Sequence, residues 1–483
     1  MAAHMGVDYF LGIDIGTTSV KAIAFSADGK VLNDQSMAYG LYHPAPDRSE
    51  QHPYEILHAL FQCVENNLHH FHQVPPVLIS FSSAMHSLLA VDDRGNAISE
   101  CIIWADNRAA DIAYRLLREN KAEDLYLKTG VPVHAMSPFC KLLWIKENDP
   151  LLFQRAFKFV GIKEYVFYKL FGRFAVDSSL AAATGLMNIN TIQWDPDILE
   201  VTGLRYEQLS PIVPISEIFR SPELFPVLKN TAFVIGGSDG AMANLGTASQ
   251  NDHSLVVSIG TSCAARVLVH GPVTDPRMRS FCYHVQDDLY LQGGAGNNGA
   301  IVLQWLREKF FLSELELPDF LARGSQVPSG SDGLIFLPYI LGERAPLWNA
   351  SARGVLFGLS VNHTRDQVIR AAMEGVVYCV YAIGRMMLEK NDIRQIFVTG
   401  GFAQNDLWVQ ILADVFHLPV MVSGTIENAA WGAVKSGMEA LGIKSAGEVS
   451  GLKKICPLAE VRELYQMQFS KFEYLYSVLK ELF

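Results

Sequence analysis

The sequence predicts an α/β protein of two domains, and three observations lead to this prediction. The chain has 483 residues, which is too long for one hydrophobic core. Short apolar runs of strand length alternate with longer amphipathic segments of helical period. A tight glycine–threonine turn between two apolar runs, Phe10–Ala22, recurs in the second half of the chain at Val256–Ala264. We therefore expect each domain to contain one hairpin of this design.

Composition and charge argue against several classes of function. The chain is 49% hydrophobic and 18% charged, as is usual for globular proteins, and it shows no signal peptide and no apolar run of about 18 residues. A net charge of −11 argues against a nucleic-acid or anionic-membrane partner. Seven cysteines without a C-x-x-C motif indicate reduced thiols and predict a cytoplasmic location. The first five residues, Met1–Met5, are typical of a remnant of cloning.

The first glycine–threonine turn carries groups suited to phosphate. Gly16, Thr17 and Thr18 expose backbone N–H groups and hydroxyls on one side of a tight turn, which forms a cradle for phosphate oxygens. Asp14, at the end of the preceding strand, places a carboxylate where Mg²⁺ can be held, directly or through water. The alternative is a plain hairpin in which a buried Asp14 caps its own turn.

The second turn repeats this design without the carboxylate. Gly260 and Thr261 reproduce the glycine–threonine pair, and Ser262 follows them. Ser258 stands at the position that the aspartate has in the first hairpin. Two loops of one design, only one of which carries a carboxylate, predict two domains that hold a polyphosphate from opposite sides.

Polar side chains also follow two predicted strands in the first half. His86 comes shortly after the buried run Val77–Phe81, and Trp104 and Arg108 follow the run Cys101–Ile103. Ligands gather at strand ends in open α/β sheets, so these residues are candidates for a substrate pocket in which Arg108 pairs with an anionic group. The alternatives are a structural histidine and a surface ion pair.

A lone aspartate on a glycine-rich turn is the candidate general base. The strand Ala232–Ile235 leads into Gly236–Gly240, followed by a small-residue helix at Ala241–Leu245. Asp239 on such a turn is exposed and closely approachable, as a base for a substrate hydroxyl must be. The alternative is an aspartate that only caps the helix N-terminus.

A second glycine pair marks a candidate nucleotide contact. The strand Ile396–Thr399 runs into Gly400 and Gly401, where the backbone can approach a nucleotide and Asn405 can bond to it. The segment Gly294–Gly299 matches G-x-G-x-x-G, but its preceding strand belongs to a hairpin, so we interpret it as close backbone packing near the nucleotide. The sequence has no Walker A motif, which excludes an ATP enzyme of the P-loop class.

Two longer stretches make the sequence resemble the FGGY carbohydrate kinases, over about Tyr9–Gly442. One is Met136–Asn148, and the other runs from Gly354 to Glu374. The resemblance implies an α/β fold of two ribonuclease H-like domains of the actin/sugar kinase superfamily, with a catalytic cleft between them. The expected divisions are residues 8–247 for the sugar-binding domain, 253–442 for the nucleotide-binding domain and 443–483 for a C-terminal helical brace.

The resemblance also implies ATP-dependent phosphorylation of a sugar or sugar acid with Mg²⁺. Carried over by motif, it assigns the catalytic base to Asp239 and the metal to Asp14 and Asp239. It assigns substrate binding to Met85, His86, Trp104, Arg108 and Asp239. It assigns ATP binding to Asp14, Gly16, Thr17, Thr18, Gly260, Thr261, Ser262, Gly400, Gly401 and Asn405. Ala300 departs from the family, which often has glycine near the nucleotide.

Within the family, the pocket stretches Ser82–Ser87, Trp104–Arg108 and Gly161–Tyr165 are most similar to those of members that phosphorylate gluconate. His86 and Arg108 favour an acid, because a substrate carboxylate needs a donor or a cation. Two alternatives stay open: a kinase for another sugar or polyol such as D-xylulose, and a non-catalytic actin-like nucleotide switch or sugar sensor. The sequence does not give the oligomeric state, for which a homodimer is one option.

Overall fold

A computed structural model describes residues 8–222, 224–248, 253–311, 314–422, 427–445 and 452–483 of the chain. The five residues interpreted as a cloning remnant lie outside these ranges. Strands and helices alternate along both halves of the chain, which confirms the predicted α/β class.

The strands are numbered in chain order. They are β1 Phe10–Ile15, β2 Ser19–Phe25, β3 Val31–Ala38, β4 Glu50–Gln51, β5 Leu78–Ser83, β6 Leu89–Val91, β7 Cys101–Ile102, β8 Lys158–Val160, β9 Val176–Asp177, β10 Met187–Asn188, β11 Gln193–Trp194, β12 Ile212–Val213, β13 Ile218–Phe219, β14 Ala232–Ser238, β15 Ser254–Ile259, β16 Cys263–His270, β17 Phe281–Gln286, β18 Leu289–Gly296, β19 Ile335–Leu337, β20 Val355–Phe357, β21 Gln395–Thr399, β22 Val420–Val422 and β23 Lys453–Ile455.

The helices are numbered in the same way. They are α1 Pro53–His70, α2 Ala110–Arg118, α3 Ala122–Thr129, α4 Pro138–Asn148, α5 Pro150–Arg155, α6 Ile162–Phe171, α7 Ser178–Ala182, α8 Pro196–Thr202, α9 Asp239–Ala248, α10 Ile301–Lys309, α11 Leu317–Ala322, α12 Arg365–Leu388, α13 Asp406–Phe416, α14 Asn428–Ala440 and α15 Arg462–Leu479.

The chain forms two compact units that do not follow chain order. Among the described residues, the first unit holds 8–248, 269–291 and 427–445, and the second holds 253–268, 292–422 and 452–483. The first crossing between the units falls between the described residues 248 and 253. Two segments expected in the nucleotide-binding domain, 269–291 and 427–442, instead belong to the first unit.

The first unit is built on a six-stranded sheet with the order β13–β14–β5–β1–β2–β3. Strand β5 lies between β1 and β14 and is parallel to both, whereas β1, β2 and β3 form an antiparallel meander. The register places Asp14 opposite Ser82 and Ser238 opposite Ser83. Because parallel strands end at the same edge of a sheet, the C-terminal ends of these three strands bring Asp14 and the start of α9 to one edge.

Strand β14 ends differently from the prediction. The sequence suggested a strand that stops at Ile235 before a glycine-rich loop, but β14 continues through Gly236 and Gly237 to Ser238, and α9 begins at Asp239. A bulge between Val234 and Gly237 accommodates the extra residue. Gly236 has φ of 62°, and a Cβ there would lie 1.8 Å from the Phe81 carbonyl oxygen, so only glycine fits this position.

The second unit contains the second hairpin. Its strands β16, β15, β21, β22 and β23 lie side by side in that order. Strands β15 and β16 are antiparallel, and β21 is parallel to β15. In both units, therefore, the first strand of the glycine hairpin has an antiparallel partner on one side and a parallel partner on the other, which confirms the predicted repeat of one design.

Helix α14 belongs to the first unit because small residues let it approach very closely. It packs on β1, β5 and α9. A Cβ on Gly432 would lie 1.8 Å from the Met242 carbonyl oxygen of α9, and a Cβ on Gly12 of β1 would lie 2.5 Å from the Ala430 carbonyl oxygen. Trp431 packs against Phe25 at 5.2 Å between ring centroids. Helix α14 therefore fixes the helix that begins at Asp239.

The long helix α12 is the core of the second unit. Within the described residues it alone is long and apolar enough to cross a membrane, but 78% of its most apolar window is buried in the protein, which is typical of a core helix. Its buried Glu374 accepts hydrogen bonds from Arg370 Nε at 2.8 Å and from the Tyr465 hydroxyl at 3.0 Å. Helix α15, predicted as part of the C-terminal brace, is attached to α12 by this contact.

We predict that Gly432→Ala destabilises the protein and that Gly437→Ala, on the same helix, does not. In Gly432→Ala, the added methyl group meets backbone atoms of α9 that cannot move away. We expect this clash to lower the free energy of unfolding by about 2 kcal/mol or more. In Gly437→Ala, the methyl group meets the Leu78 and Ser80 side chains at 3.1 Å, and the gain in helix propensity, about 1 kcal/mol, offsets this contact. Equal urea midpoints for the two variants would contradict the proposed close packing of α9 and α14.

Candidate active site

Asp14 lies at the C-terminal end of β1 in a half-buried position. Its Oδ1 accepts a hydrogen bond from Ser82 Oγ at 2.7 Å, which follows from the register of β1 and β5. Burial raises the pKa of the Asp14 carboxyl to about 6. The negative charges of Asp239 and Glu427 act in the same direction, whereas the bond from Ser82 and the charge of Lys21 lower this pKa. Asp14 and Asp239 are therefore close enough for their charges to interact.

The turn after Asp14 is held in place by a backbone hydrogen bond and by two aromatic side chains. Gly16 N donates to Ser19 O at 3.0 Å, which closes the turn, and the Tyr39 hydroxyl donates to Gly16 O. Trp104 Nε1 donates to Thr17 Oγ1 at 3.0 Å. Because the Thr17 hydroxyl accepts this bond, its own proton stays available for a phosphate oxygen. The next residue, Thr18, is exposed.

Asp239 is the first residue of α9 and is half-buried. Its Oδ1 accepts a hydrogen bond from Gly240 N at 2.6 Å. The helix cap comes from the preceding residue, since Ser238 Oγ accepts from Ala241 N at 3.3 Å. Asp239 is thus not required as the cap, the structural role considered for it above. At a helix N-terminus, a negatively charged carboxylate is also stabilised by the helix dipole.

His86 lies in the segment between β5 and β6, next to the half-buried Met85. It has a left-handed backbone conformation with φ of 66°, which is uncommon for a residue other than glycine. Its ring is buried, and Nδ1 lies 2.9 Å from the Ala183 carbonyl oxygen. Since a carbonyl oxygen only accepts, Nδ1 carries a proton and donates this bond.

Lys141 connects the two segments of the predicted pocket. Its fully buried ammonium donates to the carbonyl oxygens of His86 at 2.6 Å and Ile103 at 2.8 Å. Burial lowers the pKa of Lys141 to about 7. The sequence placed Lys141 inside a family signature, but it contained no local signal for these two contacts. They fix the backbone immediately before Trp104 and at His86.

Arg108 is more fully paired than expected. Its Nε and Nη2 donate to the two Asp106 carboxylate oxygens, each at 2.8 Å, and Nη2 also pairs with Glu50. Within the described residues, Nη1 has no hydrogen-bond partner. The guanidinium carbon lies 5.2 Å from the ring centroid of Trp144, and that of Arg48 lies 5.4 Å from the same ring. Two cations and two carboxylates therefore balance each other here, and sequence reasoning missed Arg48.

In the second unit, the turn at Gly260 docks on the start of α10. Gly260 and Thr261 are exposed. Ala300 N donates to Gly260 O at 2.7 Å and Gly299 N donates to Thr261 O at 3.1 Å. A Cβ on Gly299 would lie 2.4 Å from Ser262 O, so the end of the G-x-G-x-x-G segment serves close packing, as predicted. The half-buried Ala300 lies at this junction.

Gly400 and Gly401 form a bare stretch of backbone beside the same turn. Gly400 has φ of 93°, and a Cβ there would lie 2.6 Å from Ile259 O, whereas a Cβ on Gly401 would meet no atom within 4 Å. Both residues are exposed. Asn405 caps α13 by accepting from Trp408 N at 2.9 Å. Its Nδ2 has no hydrogen-bond partner among the residues that the structure describes and can donate to a ligand.

The donor set of the first unit fits a magnesium–phosphate group. Mg²⁺ in phosphate sites is held by one or two carboxylates together with water and phosphate oxygens. Asp14 and Asp239 supply two carboxylates whose negative charges repel each other. A cation beside them would remove this repulsion. Within the described ranges, no cluster of three or more His, Cys, Asp or Glu residues forms a metal cage, so other ligands would have to complete the coordination.

Comparison with known proteins gives matches along both halves of the chain. The profile of the FGGY family of carbohydrate kinases, N-terminal domain, matches residues 9–246, and that of the C-terminal domain matches residues 255–441. A gluconokinase of Bacillus licheniformis is 42% identical over 450 residues, which cover 90% of this chain and 88% of that protein.

Two solved structures from Lactobacillus acidophilus are equally similar to this one. One is described as gluconate kinase and the other as ligand-bound xylulose kinase. Each has a TM-score of 0.94 and 31% identity, and in each comparison 98% of both chains is covered.

We predict that Asp14→Asn stabilises the protein at neutral pH. Because the pKa of Asp14 is raised in the folded state, its contribution to stability is present below the unfolded pKa and is lost as the pH rises through about 6. The asparagine variant does not titrate, so its melting temperature should exceed that of the parent above about pH 6, and the difference should shrink towards about pH 4.

Asp92→Asn is the control, for which we expect the opposite change in melting temperature. The amide of Asn96 lowers the pKa of Asp92, so this substitution should reduce the melting temperature at neutral pH. A melting difference for Asp14→Asn that does not change with pH would contradict the charge conflict inferred for Asp14.

Proposed function

Since the chain belongs to the FGGY family of carbohydrate kinases and is a sugar kinase, we propose that it phosphorylates the terminal hydroxyl of D-gluconate with ATP. The product would be 6-phospho-D-gluconate. The observation that carries a catalytic function is the placement of Asp14 and Asp239 at one edge of the sheet by the parallel register of β1, β5 and β14, where a base and a metal-binding carboxylate are both needed. The name of the Bacillus licheniformis relative supports gluconate as the substrate.

Asp239 is the proposed general base. It would accept the proton of the attacking hydroxyl while the phosphoryl group is transferred in line from the nucleotide. Its position on the first turn of α9 keeps the carboxylate fixed, because the Gly240 N–H donates to it and the Ser238 N–H, one residue before, donates to Ser179. A switch or sensor needs no such base, so the placement of Asp239 favours an enzyme over the non-catalytic alternatives.

Phosphate binding is assigned to the two glycine hairpins. We assign the backbone and hydroxyls of Gly16, Thr17 and Thr18 to the phosphate oxygens, together with a second loop of three residues, Gly260, Thr261 and Ser262. Mg²⁺, held by Asp14 and Asp239, would supply positive charge to the phosphate oxygens. The hydroxyl groups of these loops would donate hydrogen bonds that stabilise the negative charge developing during transfer.

Adenosine binding is assigned to the second unit. The exposed backbone at Gly400 and Gly401 leaves room for a flat ring or a ribose, and Asn405 Nδ2 offers a donor. The turn at Gly260 lies beside this segment, because the two follow neighbouring parallel strands, β15 and β21. Ser258 of β15 lies opposite Thr399 of β21. One strand pair therefore carries both the proposed phosphate loop and the proposed adenosine contacts.

The sugar pocket is assigned to Met85, His86, Trp104 and Arg108. For an acid substrate, Arg108 Nη1 would donate to the carboxylate, and the His86 ring would contact a sugar hydroxyl. D-xylulose is the second candidate substrate, because the charge of Arg108 is already balanced by Asp106 and Glu50 and a neutral sugar needs no free cation. A related structure at 31% identity carries the name xylulose kinase.

We also propose a reducing, cytoplasmic location. All seven cysteines are free thiols, and six of them are buried. Buried unpaired thiols in this number are typical of proteins that stay in a reducing compartment.

We predict that Asp239→Asn lowers kcat with gluconate by at least about 100-fold, because the general base is removed. ATP binding should be retained, since the phosphate loops are unchanged. Turnover is measured by coupled ADP release with ATP, Mg²⁺ and gluconate, and nucleotide binding by titration calorimetry.

The matched control is Asp197→Asn, which changes an exposed aspartate in the first turn of another helix, α8. This variant should keep the parental kcat. Parental kcat in Asp239→Asn itself would overturn the assignment of the base.

A further inference from the structure

The Gly237–Ser238 peptide group, one residue before the peptide bond to Asp239, is held on both sides by buried side chains. The Gly237 carbonyl oxygen accepts from Lys163 Nζ at 3.3 Å. The N–H of the same peptide group, on Ser238, donates to Ser179 Oγ at 2.8 Å. Lys163 also donates to the Ile235 carbonyl oxygen at 3.0 Å. The end of β14 is therefore anchored by groups from α6 and α7.

One carboxylate joins the two anchors. Asp177 Oδ2 lies 2.7 Å from Lys163 Nζ, and Asp177 Oδ1 accepts from Ser179 Oγ at 2.6 Å. Lys163, Asp177 and Ser179 are each at most 1% exposed. The contacts form a closed ring that runs from Asp177 through Ser179 to the peptide N–H, and from its carbonyl through Lys163 back to Asp177.

The surrounding sequence is adapted to this ring. A Cβ on Gly237 would lie 2.9 Å from Ser179 Oγ and 2.7 Å from Met242 Cε, so only glycine lets the peptide approach the serine this closely. Asp177 also caps α7 by accepting from the Ser179 and Leu180 amides. A buried ion pair is costly unless its hydrogen-bonding groups find partners; here Lys163 Nζ donates to two backbone carbonyl oxygens and Asp177 Oδ1 accepts from the cap, while Oδ2 makes the ion pair itself.

We infer that Lys163, Asp177 and Ser179 are positioning residues that orient the Gly237–Ser238 peptide plane at the end of β14 and thereby aim the carboxylate of Asp239, the next residue, at the reacting hydroxyl. This inference rests on the proposed function, because it assigns a role to the support of the proposed base. A rotation of that peptide plane would displace the Asp239 side chain, and displacements of about 1 Å at a reacting group cost about 100-fold in rate.

Ser179→Ala is the main test. It removes one hydroxyl and leaves the backbone cap of α7 intact. We expect kcat with gluconate to fall by about 10-fold or more, with little change in KM for ATP, because the phosphate loops are untouched. Ser178→Ala is the matched control, since the neighbouring Ser178 Oγ donates to Val285 O at 3.1 Å and has no contact with the ring. This control should keep the parental kcat.

A double variant separates positioning from a general structural role. If Ser179 acts only through Asp239, adding Ser179→Ala to Asp239→Asn should cause no further loss of kcat. Multiplying losses would overturn the inference. The variant Lys163→Met/Asp177→Asn removes the two opposite charges together and tests the side of the ring that runs through Lys163. It should lower kcat in the same way as Ser179→Ala.

The outcomes distinguish this inference from the proposed function. Parental kcat in Asp239→Asn would overturn the base and the positioning role together. Loss of kcat in Asp239→Asn, with parental kcat in both Ser179→Ala and the Lys163/Asp177 double variant, would overturn the positioning role alone. Melting temperatures measured on the same samples confirm that each variant is folded.

Discussion

The parallel alignment of β1, β5 and β14 is the constraint on which the rest of the site depends. Parallel strands end at one edge of a sheet, and the observed register sets Asp14 beside Ser82 and brings β14 to its end at Ser238. A slip of one residue in β1 would turn Asp14 to the other face of the sheet. Strong burial on both sides of these strands specifies the register, because their apolar residues lie in the core. The charge conflict between two aspartates is thus a consequence of core packing.

Two buried lysines orient the backbone around this edge. Lys141 donates to carbonyl oxygens of the sugar-pocket segments, and Lys163 donates to the end of β14. Burial lowers the pKa of both ammonium groups. Lys163 has a direct carboxylate partner in Asp177, whereas the hydrogen bonds of Lys141 go to backbone carbonyl oxygens. Both lysines thus use their long side chains to connect loops that are distant in sequence.

The site residues that could be identified from the sequence are those marked by a pattern in the residues next to them. Asp14 and Asp239 stand beside glycines after apolar runs, so their positions at strand ends could be predicted. Lys163 and Ser179 could not be placed in the same way, because their partners Gly237 and Ser238 lie 74 and 59 residues further along the chain. The contact of Arg108 with Glu50 was missed for the same reason, since Glu50 is 58 residues away.

The division of the chain into units shows the same limit. Helix α14 falls within residues 253–442, the range that the family resemblance implied for the nucleotide-binding domain, but it lies in the first unit. The partner was not visible, because the fit of Gly432 against Met242 and of Gly12 against Ala430 depends on tertiary structure. Hydrophobic periodicity predicts which face of a helix is buried, but it does not say what covers that face.

The most direct test of the whole account is a substrate panel in a coupled ADP-release assay with ATP and Mg²⁺. The panel would contain gluconate, xylulose, ribulose, glycerol and a reaction without sugar. We expect strong turnover with gluconate and little with the neutral sugars, because the gluconate carboxylate would give Arg108 Nη1 the partner that it otherwise lacks among the described residues. Turnover with xylulose alone would contradict the proposed pocket, and ATP hydrolysis that no sugar affects would contradict the proposed kinase activity.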